Sequence, residues 1–534
     1  MSSQAFISNA TATTLAAVGD GYSVPRMPTA QRLAIVFTTR DQGMMVYDTT
    51  LNNLFIWTGA AWESVASAGD SSDTQVIFND NGELDGDVGL TYNRTIARLI
   101  VGQTIDIWRG QLQDPFSTAV GGTALTATQV GATNNTAIGY RAMYRATTGN
   151  SNVAVGNSTL SALGYTGSGN VAVGNLAGSG IASGNSNVAI GASAASTGTF
   201  SGSNNIAVGS TAMSSAGTVS GGDNIGIGRD TFRALSSGNN NVAVGVGSLN
   251  GVTTGPNNVA VGVSAGRSIT TGSGNICIGP SAGFSAGSIT GSENIVMGPS
   301  SMVNLTSGSY NVAIGPASMQ FVSTQSENVA IGLFSLQNNQ QNSNTAVGSG
   351  SLRANTVGSS NTAVGYFSLN SSVTTSNNTA LGYFAGRFTT AQRTTAIGSN
   401  ALGLSISGDA NTAVGNNALG LGALTGGDNT AVGDSAGSTL VGGGTNVFIG
   451  SAAGTTTTSG SSNICIGVNA RTEAAGSSNQ ISIGSSAQFV GTNGAANTYF
   501  ATAVTGTVAP PAGATGFWRV IINGTPRKIA VYAD

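Results

Sequence analysis

From Asn135 to Gly484 the chain repeats one short polar and apolar phrase twenty-one times: usually Asn, then Val, Ile or Thr, then usually Ala, then Val or Ile, then Gly. Asn152-Val153-Ala154-Val155-Gly156, Asn311-Val312-Ala313-Ile314-Gly315 and Asn411-Thr412-Ala413-Val414-Gly415 are examples. The closing glycines recur every 17 residues, with spacings only between 16 and 19. Such a period is too short for a helix hairpin or a propeller blade, but it fits one coil of a β-solenoid with two short strands and two turns.

Alternation along a strand sends successive side chains to opposite faces. The β-branched positions one and three after the Asn are therefore expected to point into the coil. The residue between them, Ala in fifteen coils, then forms an outward column of small side chains. That column, represented by Ala154, Ala172, Cys277, Ala313, Ala413 and Cys465, is the expected interface between protomers. Three residues past each closing Gly comes Ala, Ser or Thr, from Ala142 to Ala487, which suggests a second strand. The corners fall to Asn152, Gly156, Asn311, Gly315, Asn411, Gly415 and their equivalents. Gly tolerates a positive φ, and Asn bonds its own backbone and stacks on its counterparts.

Coils stacked at ~4.8 Å would give a shaft roughly 95 Å long. Each coil offers about three sizeable inward side chains against the entropy of ordering seventeen residues, so a lone roll is under-packed. Lateral association follows, and a homotrimer, intertwined or side by side, is the most economical closed arrangement.

The fold class is thus all-β: a parallel β-roll of about 21 coils between small β-rich ends. Four regions are expected: an extended arm over 1–30, a small β-rich region over 31–130, the shaft over 131–490 and a β-hairpin cap over 491–534. In the second, Met44-Met45-Val46-Tyr47-Asp48 leads into Leu54-Phe55-Ile56-Trp57 and on to Trp62 as hairpins. Another β segment runs from Asp73 to Gly102, with turn signals at Asn79-Asp80-Asn81-Gly82 and Asp85-Gly86. Near the end, Asn523-Gly524 between two apolar runs signals a hairpin. The flanks should also cover the open edges of the roll.

Composition narrows the chemistry. The 534 residues include 80 Gly, only 7% charged residues, a net charge of −3 and no His. Neither nucleic acid nor acidic lipid is favoured. Disorder would not keep the repeat in phase. No signal-like start and no run of 18 apolar residues is visible, so neither Sec export nor membrane insertion is expected. Cys277 and Cys465 share one phase of the repeat but lie eleven coils apart, too far to pair within a chain; copies across a three-fold axis would instead meet one another.

Without His, serine-protease triads and histidine metal sites drop out, and no metal or cofactor is called for. A carboxylate pair remains the one enzymatic option. Asp223, Glu293, Glu327 and Asp428 recur just before the motif Asn, and Glu293 and Glu327 lie roughly 10 Å apart by stacking. They read as solvated turn residues. Acids are too sporadic for a calcium roll, Gly222 near Gly228 lacks the helix of a phosphate loop, and Thr is too patchy for an ice-binding ladder. Phe334, Tyr366, Phe367, Tyr383 and Phe384 follow the closing Gly in three coils and could supply adhesive area or pack between protomers.

The stretches Gly43 to Trp62 and Thr74 to Tyr92 resemble segments of tail-fibre and related appendage proteins of tailed bacteriophages, and Val520-Ile521-Ile522-Asn523-Gly524-Thr525 with Lys528-Ile529 is similar to a β terminus of that group. The array resembles the left-handed β-roll heads of trimeric autotransporter adhesins, although their repeat is shorter and they carry a signal peptide, stalk and anchor not seen here. The resemblance implies a non-enzymatic virion fibre, assembled in the host cytoplasm. Its N-terminal region would dock on other virion proteins, and its surface would contribute to binding a host receptor or polysaccharide. A depolymerising tailspike, a head or collar fibre and a bacterial adhesin are the alternatives.

Overall fold

The structure is a computed structural model that describes residues 26–35, 44–51, 53–64, 73–80, 83–93, 98–101, 105–109, 116–126, 132–484, 514–522 and 525–532. It divides into two compact units, Met1–Leu176 and Ala177–Asp534.

The first unit opens with β1 (Arg26–Met27), helix α1 (Thr29–Leu33), β2 (Met45–Asp48), β3 (Asn53–Trp57) and β4 (Trp62–Ser64). β1 pairs parallel with β2, and β2, β3 and β4 form an antiparallel meander. The expected hairpins are therefore present. The extended arm is corrected at its end: Thr29 and Ala30 begin a helix behind Pro28, whose fixed φ of −63° suits a helix start. What seats this single turn is burial of Arg32, which donates to Asp48 at 2.9 Å and lies 3.7 Å above the Phe55 ring. Residues 1–25 of the arm lie outside the described residues.

β5 (Asp73–Asp80), β6 (Glu83–Asn93), β7 (Arg98–Val101) and β8 (Ile105–Arg109) form a second antiparallel meander. Asp85-Gly86, a turn signal in the sequence, instead lies inside β6, which takes up a register shift between Gln75 and Ile77 of its partner. Asn81-Gly82 lies outside the described residues. β8 pairs antiparallel with β9 (Thr118–Val120), the first coil strand, so the meander covers one open edge of the roll. β9 is a coil that the repeat count missed. Ser117-Thr118-Ala119-Val120-Gly121 carries Ser in the Asn slot, and Asn135 donates its N–H to the Ser117 hydroxyl at 2.8 Å. β10 (Thr136–Ile138), β11 (Val153–Val155) and β12 (Val171–Val173) stack on it in parallel.

The second unit holds eighteen three-residue strands, β13 (Val188–Ile190) through β30 (Ile481–Ile483), each paired in parallel register with the next. At ~4.8 Å per step its column of strands is about 80 Å long. β31 (Ala514–Ile522) and β32 (Thr525–Tyr532) form the expected antiparallel hairpin. Its Asn523-Gly524 turn lies outside the described residues.

Each coil has one strand, not two. In place of the second strand the structure has a turn segment with isolated single-residue bridges such as Ile181 to Phe200 and Ile269 to Ile289. The second and fourth residues after the closing Gly adopt left-handed conformations, as at Ser158 (φ 53°) and Leu160 (φ 44°), so the chain cannot extend there. The cost is offset because the backbone still bonds from coil to coil: the Leu249 N–H reaches the Ala265 carbonyl at 3.0 Å.

Candidate association face and binding surface

The face of each strand is the reverse of the expected one. Ala154, Ala172, Ala313 and Ala413 are fully buried inside their own coils, as is Cys465, and Cys277 is 2% exposed. They cannot form a protomer interface. The reason is the narrow bore. Ala faces a large residue at the fourth position after the closing Gly, such as Leu160, Met213 or Leu249, all buried, and two β-branched side chains per strand would not fit beside it. Size is traded across the bore. Phe448 replaces Ala where the facing positions are Gly437 and Gly454, and a Cβ on Gly437 would sit 2.5 Å from the Phe448 ring. Gly226 replaces Ala where Phe232 faces it. Burial pushes the Cys277 and Cys465 thiols up to about 12.

The β-branched residues point outward instead. Ile190, Ile227, Val261, Ile331 and Leu381 are among the exposed apolar side chains, with Leu381 at 47%. The next residue but one extends the stripe: Val246, Val263, Tyr366, Tyr383 and Val468 directly follow a closing Gly and are exposed. An apolar ladder of this extent on an isolated chain marks an interaction face.

The corners are as expected. The Asn241 side-chain amide and backbone N–H both donate to Asn224 Oδ1 at 3.0 Å, and the same amide donates to the Gly255 carbonyl at 3.0 Å. Asn152, Asn311 and Asn411 are buried in this ladder. Tyr165 interrupts it once, its hydroxyl donating to Asn152 Oδ1 and accepting from Asn170 Nδ2, both at 2.8 Å; burial raises its pKa. Gly156, Gly315 and Gly415 hold φ of 133°, 124° and 138°, reserved for glycine, and a Cβ on Gly156 would lie 2.5 Å from the Gly174 carbonyl oxygen.

Four of the five aromatics come together. Tyr366 and Tyr383 stack at 5.5 Å and 10°, and Phe367 meets Phe384 edge on at 6.0 Å. Arg387 lies 4.2 Å above Phe384 and 4.7 Å from Phe388, an Arg contact that the sequence reading missed although Arg387 stands three residues past Phe384. Phe334 stands apart because Gly350 occupies the intervening coil; Arg353 covers it at 4.7 Å. Asp223, Glu293, Glu327 and Asp428 sit on exposed turns with φ between 57° and 60°.

The N-terminal sheet has its own polar anchor. Asp48 accepts from Arg32, the Thr29 hydroxyl and the N–H groups of Thr50 and Leu51 at 2.8 to 3.0 Å. Burial pushes its carboxyl up, but the Leu51 N–H, Arg32, Thr29 and the Thr50 N–H together hold it at about 2. This sheet lies within residues 7–79, which match a family model described as a phage tail like trimerisation region. That match supports a phage tail fibre-like protein. No curated protein matches it. The trimerisation region supports a homotrimer and a virion component with a structural role, and the outward ladder gives the fibre a surface on which copies can associate. Among the described residues no helix is long and apolar enough to cross a membrane.

Proposed function

We propose that the protein is the stiff shaft of a phage fibre in which three copies pack through the outward β-branched ladder, and that the assembled shaft contributes to host-cell attachment. The observation that carries this reading is that ladder: Ile190, Ile227, Val261 and Ile331, each more than a third exposed, stand in one column of the second unit. Burying it between copies supplies the apolar area that each thin coil lacks inside. The N-terminal region docks on other virion proteins, assembly takes place in the host cytoplasm, and the shaft performs no catalysis. Rigidity and three copies raise the effective concentration of weak contacts with a receptor or polysaccharide on the host.

Sizing with light scattering tests the assembly: the purified chain should run as a trimer, and Ile190→Asp with Val261→Asp should enlarge its hydrodynamic radius and lower its melting temperature as the three shafts part, even where residues 7–79 keep the chains together. Unchanged radius and melting in that variant would overturn the ladder interface. Adsorption of labelled shaft to host cells tests attachment. Release of oligosaccharide from host capsule by the purified protein would overturn the non-catalytic reading.

A further inference from the structure

The segment after each closing glycine carries a second, polar surface. Its second and fifth positions form columns along the roll. In the coils closed by Gly228, Gly245 and Gly262 these columns hold Asp230 and Arg233, then Gly247 and Asn250, then Ser264 and Arg267. Gly247 leaves a gap in its column, and the gap opens a hollow of about 390 Å³ with Arg229, Arg233 and Arg267 around it.

The charges in this hollow do not balance. Asp230 is its single carboxylate and is already engaged. It accepts from the Thr211 hydroxyl at 2.7 Å and lies 3.4 Å from Arg233 and 3.7 Å from Arg229. Asn250 is turned to the Asp230 carbonyl at 2.8 Å. Arg267 has no carboxylate within 4.0 Å among the described residues and rests beside the Phe284 ring at 5.8 Å. Two guanidinium groups thus share one acid while a third lines the same hollow without one, which leaves a net positive site in a chain with only 18 basic residues and favours an anion there. All three cations are Arg, whose planar fork matches carboxylate and phosphate oxygens in pairs. Arg233 and Arg267 stand two coils apart, about 10 Å by the stacking distance, so the hollow suits an acid carried on an extended chain.

We propose that this hollow binds an acidic saccharide, with a carboxylate or phosphate seated between Arg233 and Arg267 and Arg229 at the rim. A saccharide is favoured over an acidic peptide because the same post-glycine segment, farther along the unit, presents exposed Tyr366 and Tyr383, whose rings offer faces for stacking on sugar. The inference rests on the attachment reading and gives it a ligand class.

The test uses the full-length protein and its Arg233→Ala/Arg267→Ala variant, with titration calorimetry at low salt. The probes are a glucuronate-bearing oligosaccharide, a phosphorylated oligosaccharide, a neutral oligosaccharide of equal length and polyglutamate. At least one acidic saccharide should bind. Its affinity should fall about tenfold or more in the double variant, weaken with added salt, and be partly kept by Arg267→Lys. Both arginines are exposed, so thermal unfolding should not change. The comparison of glucuronate with phosphate identifies which acid the hollow takes. No preference for the acidic saccharides over the neutral one, equal binding by the double variant, or equal binding of polyglutamate would each overturn the proposal. If cells adsorb wild type and double variant equally, the hollow is not the contact, while attachment stands. If the wild type binds the acidic saccharide but no host cells, the hollow stands and attachment fails.

Discussion

Two stretches of the second unit wind the same coil from different materials. From Leu235 to Val322 the inward residue before each motif Asn is apolar: Leu235, Val252, Ile269, Ile289, Leu305 and Val322, all buried. From Asn339 to Ser405 that position holds Asn339, Asn355, Ser372, Thr389 and Ser405, also buried. The polar interior is held by hydrogen bonds: Asn355 donates to Asn339 Oδ1 at 2.9 Å and exchanges bonds with Gly358 at 2.8 and 3.1 Å. The Ser405 hydroxyl alone in this series has no partner. The outer face changes as well. From β22 (Thr345–Val347) to β27 (Thr430–Val432) the first strand position is Thr, where the earlier coils of the second unit carry Val or Ile. The winding itself therefore does not require an apolar bore. It requires the closing glycine, which both stretches share, and the corner ladder of the motif Asn, which Thr394 continues in the second stretch by donating its N–H and hydroxyl to Asn378 Oδ1, while the filling and the outer face set how strongly each stretch packs and associates.

If that division is right, the largest effects should be blind to the stretch. Gly262→Ala and Gly365→Ala, at φ of 136° and 133° with backbone within 2.7 Å of the new Cβ, should each destabilise by on the order of 4 kcal/mol or more in chemical unfolding. A mild effect at either site would break the shared-backbone account. The interior should show the contrast: Leu235→Ala is expected to cost about 2–5 kcal/mol through its cavity, whereas Asn355→Ala should cost about 1–3 kcal/mol through unpaired groups. Equal losses would erase the difference between bores. On the outer face, Ile225→Ser with Val259→Ser should lower the concentration stability of the trimer more than Thr362→Ser with Thr379→Ser, read by dilution in light scattering.

The smallest effect concerns a region outside both stretches. The folded Asp48 carboxyl, at about 2, lies below its ordinary value of 3.8, so its contribution to the N-terminal sheet is complete above about pH 4 and is lost as pH falls toward 2. Melting followed through Trp57 and Trp62 fluorescence should weaken over that window, and Asp48→Asn should remove the dependence.

The sequence alone determined the solenoid, its 17-residue step and its Gly and Asn corners through the repeat, and the hairpins about Asp48 and between β31 and β32 through strand runs and turn signals. Those are local facts, written in which residues tolerate a positive φ, stack an amide or alternate along a strand. Sequence also held the coil at Ser117, since Thr118-Ala119-Val120-Gly121 repeats the phrase with a changed first letter. What only tertiary structure decided was which side of each strand is inside. Alternation sorts Val153 and Val155 from Ala154 but does not say which set faces the bore. That choice depends on the volume opposite, set by Leu160 in the same coil and by Phe448 against Gly437 elsewhere, and on whether the bulkier face meets water or another chain. The hollow at Gly247 has the same origin: Arg267 lies two coils beyond Arg229 and Arg233 in sequence, and the winding brings all three around one missing side chain.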